Sequence, residues 1–381
     1  MAPAADDGCP TPKLREGDLA HAILNDAHLR ILYLTPEELA TKDANGQWSE
    51  ASAELQYALA ACPKELRMWV FDEVHLVSDW GETFRAAYRH VNEACNAVDE
   101  RRRSQQARRA LRMATTATLT QRQSDLLGDS IGMREFEVVR GGDHARPNLH
   151  LLVRHATAAE LATSSEAQLA LSLLHDALGG RLPAEAMSGR VILFVSHACA
   201  APGVAEAINE AKLSHPDGSL LCAVAYSGAM EDEARRAVME QVAARDGARI
   251  LVATCACSTG LDLPHEVTFV GHLRLPPSLL HLWQEWGRAG RGGSKAWCVL
   301  FVHPAFVSQM LRFVTKEPRA AVRTRLVQEL VDVVALAMLP GCCRRLLNDM
   351  VGSESDISSC ASCDACCTSG ACGFWAASVA A

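Results

Sequence analysis

Short runs of almost purely apolar residues, separated by stretches with helical spacing, constrain this chain most. Val191-Ile-Leu-Phe-Val195, Arg249-Ile-Leu-Val-Ala-Thr254 and Val267-Thr-Phe-Val-Gly-His272 do not alternate apolar with polar residues. They read as strands buried on both faces. Residues 204–213, just after Pro202-Gly203, and residues 231–245 have helical spacing, and residues 278–286 form a further helix after the third strand. Strands and helices alternating at these lengths require a parallel sheet with helices packed on it. An earlier series repeats the pattern: a helix near residues 16–27, the strand Leu29-Arg-Ile-Leu-Tyr-Leu-Thr35, and a helix opening at Pro36, where proline is favoured. A strand starting at Met68, a charged helix over residues 85–109 and a hydroxyl-rich strand over residues 111–118 complete it. Gly141-Gly-Asp-His-Ala-Arg-Pro-Asn148 separates the two series. The 381 residues are enough for two or three domains, each with its own core.

The strand that begins at Met68 ends in two adjacent carboxylates, Asp72 and Glu73. The C-terminal edge of a doubly wound sheet is where ligands bind. One carboxylate there can hold a magnesium ion while the other orients a nucleophilic water, although two acids alone also suit a solvated turn. His75, Trp80, Phe84 and Arg85 follow in a loop, and aromatic and guanidinium groups in a loop suit stacking on unpaired bases. The three hydroxyls at the end of Leu111-Arg-Met-Ala-Thr-Thr-Ala-Thr118 can hydrogen-bond a nearby carboxylate. Ala253-Thr-Cys-Ala-Cys-Ser-Thr-Gly-Leu-Asp262 places Gly260 where backbone can approach a phosphate or sugar, with Asp262 as an acceptor for a ribose or an arginine. In Gln284-Glu-Trp-Gly-Arg-Ala-Gly-Arg291, two arginines three apart can reach one polyphosphate and stabilise the charge of a transferring phosphoryl group.

Of fifteen cysteines, seven fall between Cys342 and Cys372. Cys360, Cys363 and Cys366 have the spacing at which thiolates converge on one tetrahedral zinc, and Cys343 upstream supplies a fourth ligand. Four ligands close such a site, so the zinc is structural. Cys342, Cys367 and Cys372 remain alternatives, each read as an uninvolved thiol. Without a secretory signal, this cysteine usage points to a reducing compartment rather than a disulfide framework. No run of eighteen apolar residues marks a membrane span. A net charge of −8 argues against general polyanion binding and leaves room for a local basic groove. Arg101-Arg-Arg and Arg108-Arg109 form a basic face that reads as solvated surface.

Taken in order, these segments resemble RecQ-type DNA helicases of superfamily 2 from about residue 29 to residue 367. Thr35-Pro36-Glu37 is similar to motif Ib, the Asp72-Glu73 segment to Walker B with its aromatic-rich loop, and Thr116-Ala117-Thr118 to motif III. Arg146-Pro147-Asn148-Leu149 resembles the junction opening the second motor domain. Residues 253–262 and 284–291 resemble motifs V and VI, and Cys343-Arg-Arg resembles the opening of the zinc subdomain. The resemblance implies two RecA-like parallel-sheet motor domains, the first incomplete, followed by a small helical zinc-binding subdomain. The expected bounds are 1–145, 146–310 and 311–370, with a tail over 371–381.

The implied function is an ATP-dependent 3′–5′ DNA helicase, an ATP hydrolase and strand-separating isomerase serving repair and recombination on single-stranded DNA and duplex junctions. Its implied cofactors are ATP, Mg²⁺ and Zn²⁺, and its place is the nucleus, or the cytoplasm of a prokaryote. By the same resemblance Asp72, Glu73, His75, Gln284, Arg288 and Arg291 are catalytic, and Asp262, Gly260 and Gly287 bind nucleotide. Thr35, Pro36, Trp80, Phe84, Arg85, Thr116 and Thr118 contact DNA. Val74, Asp79, Glu82-Thr83, Leu263 and Trp286 depart from the family pattern, and the winged-helix domain that often follows the zinc subdomain is expected to be absent. No G-x-x-x-x-G-K-[ST] occurs in the chain, so the sequence is expected to be N-terminally incomplete. The alternative is a catalytically inactive DNA-binding or regulatory protein.

Overall fold

In the second half of the chain the apolar runs become a six-stranded sheet, with every ladder parallel. The computed structural model describes residues 19–74, 86–116, 127–128, 131–133, 136–139, 146–163, 165–215, 217–254, 263–339, 341–350, 360, 362–363 and 366. The chain divides into two compact units, residues 1–140 and 141–381.

In the second unit the strands are β3 (Leu149–His155), β4 (Arg190–Phe194), β5 (Ala223–Tyr226), β6 (Ile250–Ala253), β7 (Val267–His272) and β8 (Ala296–Val302). Across the sheet they run β3-β8-β7-β4-β6-β5. Side chains alternate faces along a strand, so Val191 and Leu193 of β4 enter one core while Ile192 and Phe194 enter the other. The first core is closed by α5 (Glu166–Asp176) and α6 (Ala200–Glu210). The opposite core is closed by α7 (Asp232–Ala243), α8 (Leu279–Trp286), α9 (Pro304–Thr315), α10 (Ala320–Met338) and α11 (Cys343–Met350). The cysteine-bearing end therefore shares one core with the sheet, and residue 310 lies inside α9.

The sequence reading does not single out β3 and β8. Arg154 and two histidines break the apolar run of β3. Burial of Arg154 is made tolerable from elsewhere: its guanidinium grips Glu160 with two bonds, at 2.9 and 2.8 Å, and reaches Asp176 at 2.7 Å. Partners supplied from other segments turn a polar interruption into a core strand.

The first unit holds α1 (Leu19–Asn25), α2 (Pro36–Ala40), α3 (Glu50–Ala61), α4 (Val91–Ser104) and the parallel pair β1 (Met68–Phe71) and β2 (Leu111–Ala114). The strand expected over residues 29–35 forms no ladder among the described residues. Leu32 and Leu34 pack on the helical core, while Ile31 and Tyr33 turn outward, 70% and 86% exposed. The charged helix is shorter than expected, and its basic face is reduced. Arg102 is buried and donates to the Leu59 and Cys62 carbonyls at the end of α3, and Arg109 lies 3.7 Å from Asp99. Trp69 of β1 enters the core and its indole N–H donates to Asp99 at 3.1 Å. Met68, Val70, Leu111 and Met113 stay exposed on the opposite face, paired in register across the two strands. Among the described residues no helix is long and apolar enough to cross a membrane.

Candidate functional site

Parallel pairing puts the ends of β1 and β2 side by side. Phe71 is in register with Ala114, so the residues that follow, Asp72 and Thr115, meet. The Thr115 N–H donates to the Phe71 carbonyl at 2.9 Å and the Val74 N–H to the Thr115 carbonyl at 3.1 Å, extending the ladder past both strands. Within that frame the Thr115 hydroxyl donates to Asp72 Oδ1 at 2.7 Å, as does the Glu73 N–H at 3.0 Å. Glu73 takes the left-handed conformation with φ +47°, a costly state for a residue with a Cβ. Val74, 2% exposed, anchors the turn against Leu127 and Ile131. The hydroxyl that reaches the acid belongs to Thr115; Thr116 is half-buried beside it. Of the three hydroxyls at the strand end expected to reach a carboxylate, Thr115 makes the contact; Thr116, expected to touch DNA, lies next to it. Thr118, His75, Trp80, Phe84 and Arg85 lie outside the described residues.

Thr35 and Pro36 start a helix. The Thr35 side chain accepts from the Glu38 N–H at 3.3 Å, and the Glu38 carboxylate accepts from the Thr35 N–H at 2.7 Å, forming a capping box with Pro36 just inside.

In the second unit, Ser278 caps α8, and Gly287 ends it by donating to the Trp283 carbonyl at 2.8 Å. Gln284 is half-buried on α8, Arg288 is 9% exposed and Arg291 is exposed. Both arginines line a cavity of about 220 Å³ together with Leu263, Glu266 and Val267. Trp286, a departure from the family pattern, is fully buried and meets the His272 ring edge-on at 6.2 Å. Beneath the arginines, Glu285 joins α8 to the end of β7. His272 Nε2 lies 2.6 Å from Glu285 Oε2 and Arg274 donates to Glu285 Oε1 at 2.7 Å, with the His272 ring stacked on Phe194 at 4.8 Å. Burial alone would push the Glu285 carboxyl up, but Arg274 and His272 hold it down to about 2. Burial pushes His272 below its usual value. Sequence reasoning did not identify His272, Arg274 or Glu285 as functional, because a lone polar residue inside an apolar run carries no signal of its partner. Gly260 and Asp262 lie outside the described residues.

At the cysteine end the structure brings together Cys342, Cys360, Cys363 and Cys366, whose sulfurs all lie within 4.8 Å of one another. The upstream sulfur in this cluster is that of Cys342, where the sequence reading expected Cys343. Cys343 opens α11 and turns into the core with Leu347, one helical turn on, while Cys342 precedes the helix and faces the loop. Four thiolates about 2.3 Å from a tetrahedral zinc stand roughly 3.8 Å apart. The Cys363 and Cys342 sulfurs are 3.7 Å apart, so the donor set fits that ion. The Cys363 thiol beside Cys360 draws its pKa down to about 4, with the Ser362 N–H and Arg344 adding to the effect. The loop also closes the sheet: Leu151 of β3 donates to the Ser362 carbonyl at 2.9 Å and forms a parallel bridge with Cys363.

Against known proteins, the model of the helicase conserved C-terminal domain matches residues 170–293. A putative ATP-dependent DNA helicase Q1 of Caenorhabditis elegans is 29% identical over 326 residues, 85% of this chain and 44% of that protein. The ATP-dependent DNA helicase Q4 of Mus musculus is 31% identical over 302 residues, 77% of this chain and 22% of that one. The ATP-dependent DNA helicase RecQ of Haemophilus influenzae is 25% identical over 344 residues, 90% and 47% of the two chains. The chain spans less than half the length of each of these relatives.

Proposed function

Because this chain belongs to the RecQ type of superfamily 2 helicases, we propose that it carries part of an ATP-dependent 3′–5′ DNA helicase acting in repair and recombination. The observation that carries this reading is the Thr115–Asp72 hydrogen bond at the end of the β1–β2 ladder. Asp72 would hold magnesium, which supplies charge neutralisation on a polyphosphate when bound. Thr115 orients that carboxylate through its hydroxyl, and Glu73, held on the adjacent turn, accepts a proton from water. Arg288 and Arg291 place two positive charges at one cavity, the chemistry a γ-phosphate requires. Cys342, Cys360, Cys363 and Cys366 would hold a structural zinc that cross-links α11 to the edge of β3.

The second reading is a catalytically inactive DNA-binding or regulatory protein of the same family. The two separate by ATP hydrolysis stimulated by single-stranded DNA, measured on this chain and on the longest native form. The helicase reading expects little turnover from this chain alone and robust turnover from a form that supplies a phosphate loop, abolished by Glu73→Gln and by Arg291→Ala. Turnover in neither form, with DNA binding retained, gives the protein to the second reading.

A further inference from the structure

The Arg288–Arg291 turn is held from below by two side chains of the junction segment. Arg146 donates to the Ala289 carbonyl at 2.7 Å and the Gly290 carbonyl at 3.0 Å; Asn148 donates to Gly290 at 2.9 Å and Ser294 at 2.8 Å. Ala289 and Gly290 are the two residues between the arginines. Gly290 has φ +56°, and a Cβ there would come within 2.5 Å of Asn148 Nδ2, so the fit leaves no room for a side chain. Arg146 is itself held in the left-handed region, at φ +45°.

Arg344, on α11 and 2% exposed, holds the junction in turn. Its guanidinium donates to the Arg146 carbonyl at 2.7 Å, to the Leu149 carbonyl, to Ser362 Oγ at 2.9 Å and to Cys360 Sγ at 3.4 Å. A buried guanidinium that spends its rigid fork on four acceptors fixes their mutual positions, which a lysine with one point charge does not do. A continuous path of hydrogen bonds therefore runs from the cysteine centre through Arg344 and Arg146 to the turn between the two arginines.

We propose that Arg344 is a positioning residue that transmits the state of the cysteine centre to the Arg288–Arg291 turn through Arg146. Loss of the metal, or exchange in which two of the cysteine thiols form one S–S bond while an external disulfide is cleaved and leaves as two thiols, frees Ser362 and Cys360 from the Arg344 fork. The junction then loosens its grip on Gly290. The proposal rests on the helicase reading only for what the two arginines bind; the linkage itself stands on the bonds above.

Arg344→Gln and, as a position control of equal charge change, Arg345→Gln on the exposed neighbouring position test it. The readouts are metal content, amide hydrogen exchange, and affinity for inorganic tripolyphosphate. In Arg344→Gln carrying its metal, exchange at the Gly290 and Gly293 amides rises about tenfold and tripolyphosphate binds several-fold more weakly, while β4 and β6 amides are unchanged. Stripping the metal from the unsubstituted chain reproduces the pattern, Arg344→Lys does not restore it, and Arg345→Gln shows none of it. Unchanged exchange at Gly290 and Gly293, with the 360–366 loop opened, overturns the proposal. Should Arg344→Gln fail to fold, Arg146→Gln carries the same expectation at Gly290 with the cysteine loop still protected, and unchanged exchange there overturns it equally. If tripolyphosphate does not bind the unsubstituted chain, the nucleotide reading of the arginines fails, and the exchange results alone decide the linkage.

Discussion

His272 and Glu285 meet at 2.6 Å with neither side chain exposed to solvent, and the pair fastens α8, at the start of the Gln284–Arg291 segment, to the end of β7. A carboxylate can only accept, so His272 donates from Nε2. Its Nδ1 has no hydrogen-bond partner among the described residues, so protonating it would add a second buried donor, and burial favours the neutral ring. Arg274 completes the set from the other carboxylate oxygen at 2.7 Å.

Removing the carboxylate should therefore cost far more than an ordinary surface ion pair. Glu285→Ala leaves Arg274 buried and unpaired, a situation that destabilises by about 3–5 kcal/mol. Glu285→Gln, which still accepts one hydrogen bond, should cost less. Urea unfolding checks both, and a loss below about 1 kcal/mol for Glu285→Ala contradicts the expectation.

Acid should unfold the second unit in two stages. His272 sits below its unfolded value of 6.5, so as pH falls through 6.5 the unfolded chain gains a proton that the folded chain refuses, and stability drops. Glu285 and Glu160 are each held down to about 2 against an unfolded 4.5. Their contribution is complete above 4.5 and disappears as pH falls towards 2. A melting temperature followed from pH 8 downward should be flat to about 6.5, decline gently to about 4.5 and then steepen. His272→Asn should shrink the gentle phase and leave the steep one, since His150, likewise pushed down by burial, keeps a share of the former; an identical profile in that variant refutes the assignment to His272.

The two neighbouring cysteines should behave oppositely. Cys342→Ser removes a ligand and should lower zinc content well below one per chain. Cys343→Ser should retain the metal while losing about 1–3 kcal/mol by placing a hydroxyl among Leu347 and the sheet core. Elemental analysis beside a thermal melt separates them, and metal loss in Cys343→Ser instead would reverse the ligand assignment.

The difference between those cysteines marks where sequence reasoning stops. Spacing alone located the C-x₂-C-x₂-C run, because thiols two residues apart converge whatever surrounds them. Choosing between Cys342 and Cys343 requires knowing at which residue α11 begins, since one step around a helix separates loop from core. Strands β4, β6 and β7 were legible because their runs are almost purely apolar; β3 was not, because Arg154 needs Glu160 and Asp176 before it can be buried. Arg102 followed the same rule, reading as solvated charge until three carbonyls closed over it. The acid pair was visible as chemistry, while the identity of its hydroxyl partner depended on the β1–β2 register.

The exposed face of β1 and β2 makes the last expectation. A parallel sheet normally has both faces covered, yet Val70 is 57% and Leu111 66% exposed, beside Met68 and Met113. Contiguous apolar surface of this kind binds hydrophobic dyes and drives association. Val70→Thr with Leu111→Lys should reduce binding of anilinonaphthalene sulfonate and light scattering at high protein concentration. Stability should change by no more than about 0.5 kcal/mol, because neither side chain is buried in the fold described. Undiminished dye binding, or a loss of several kcal/mol, would mean that this face is already covered in the protein as purified.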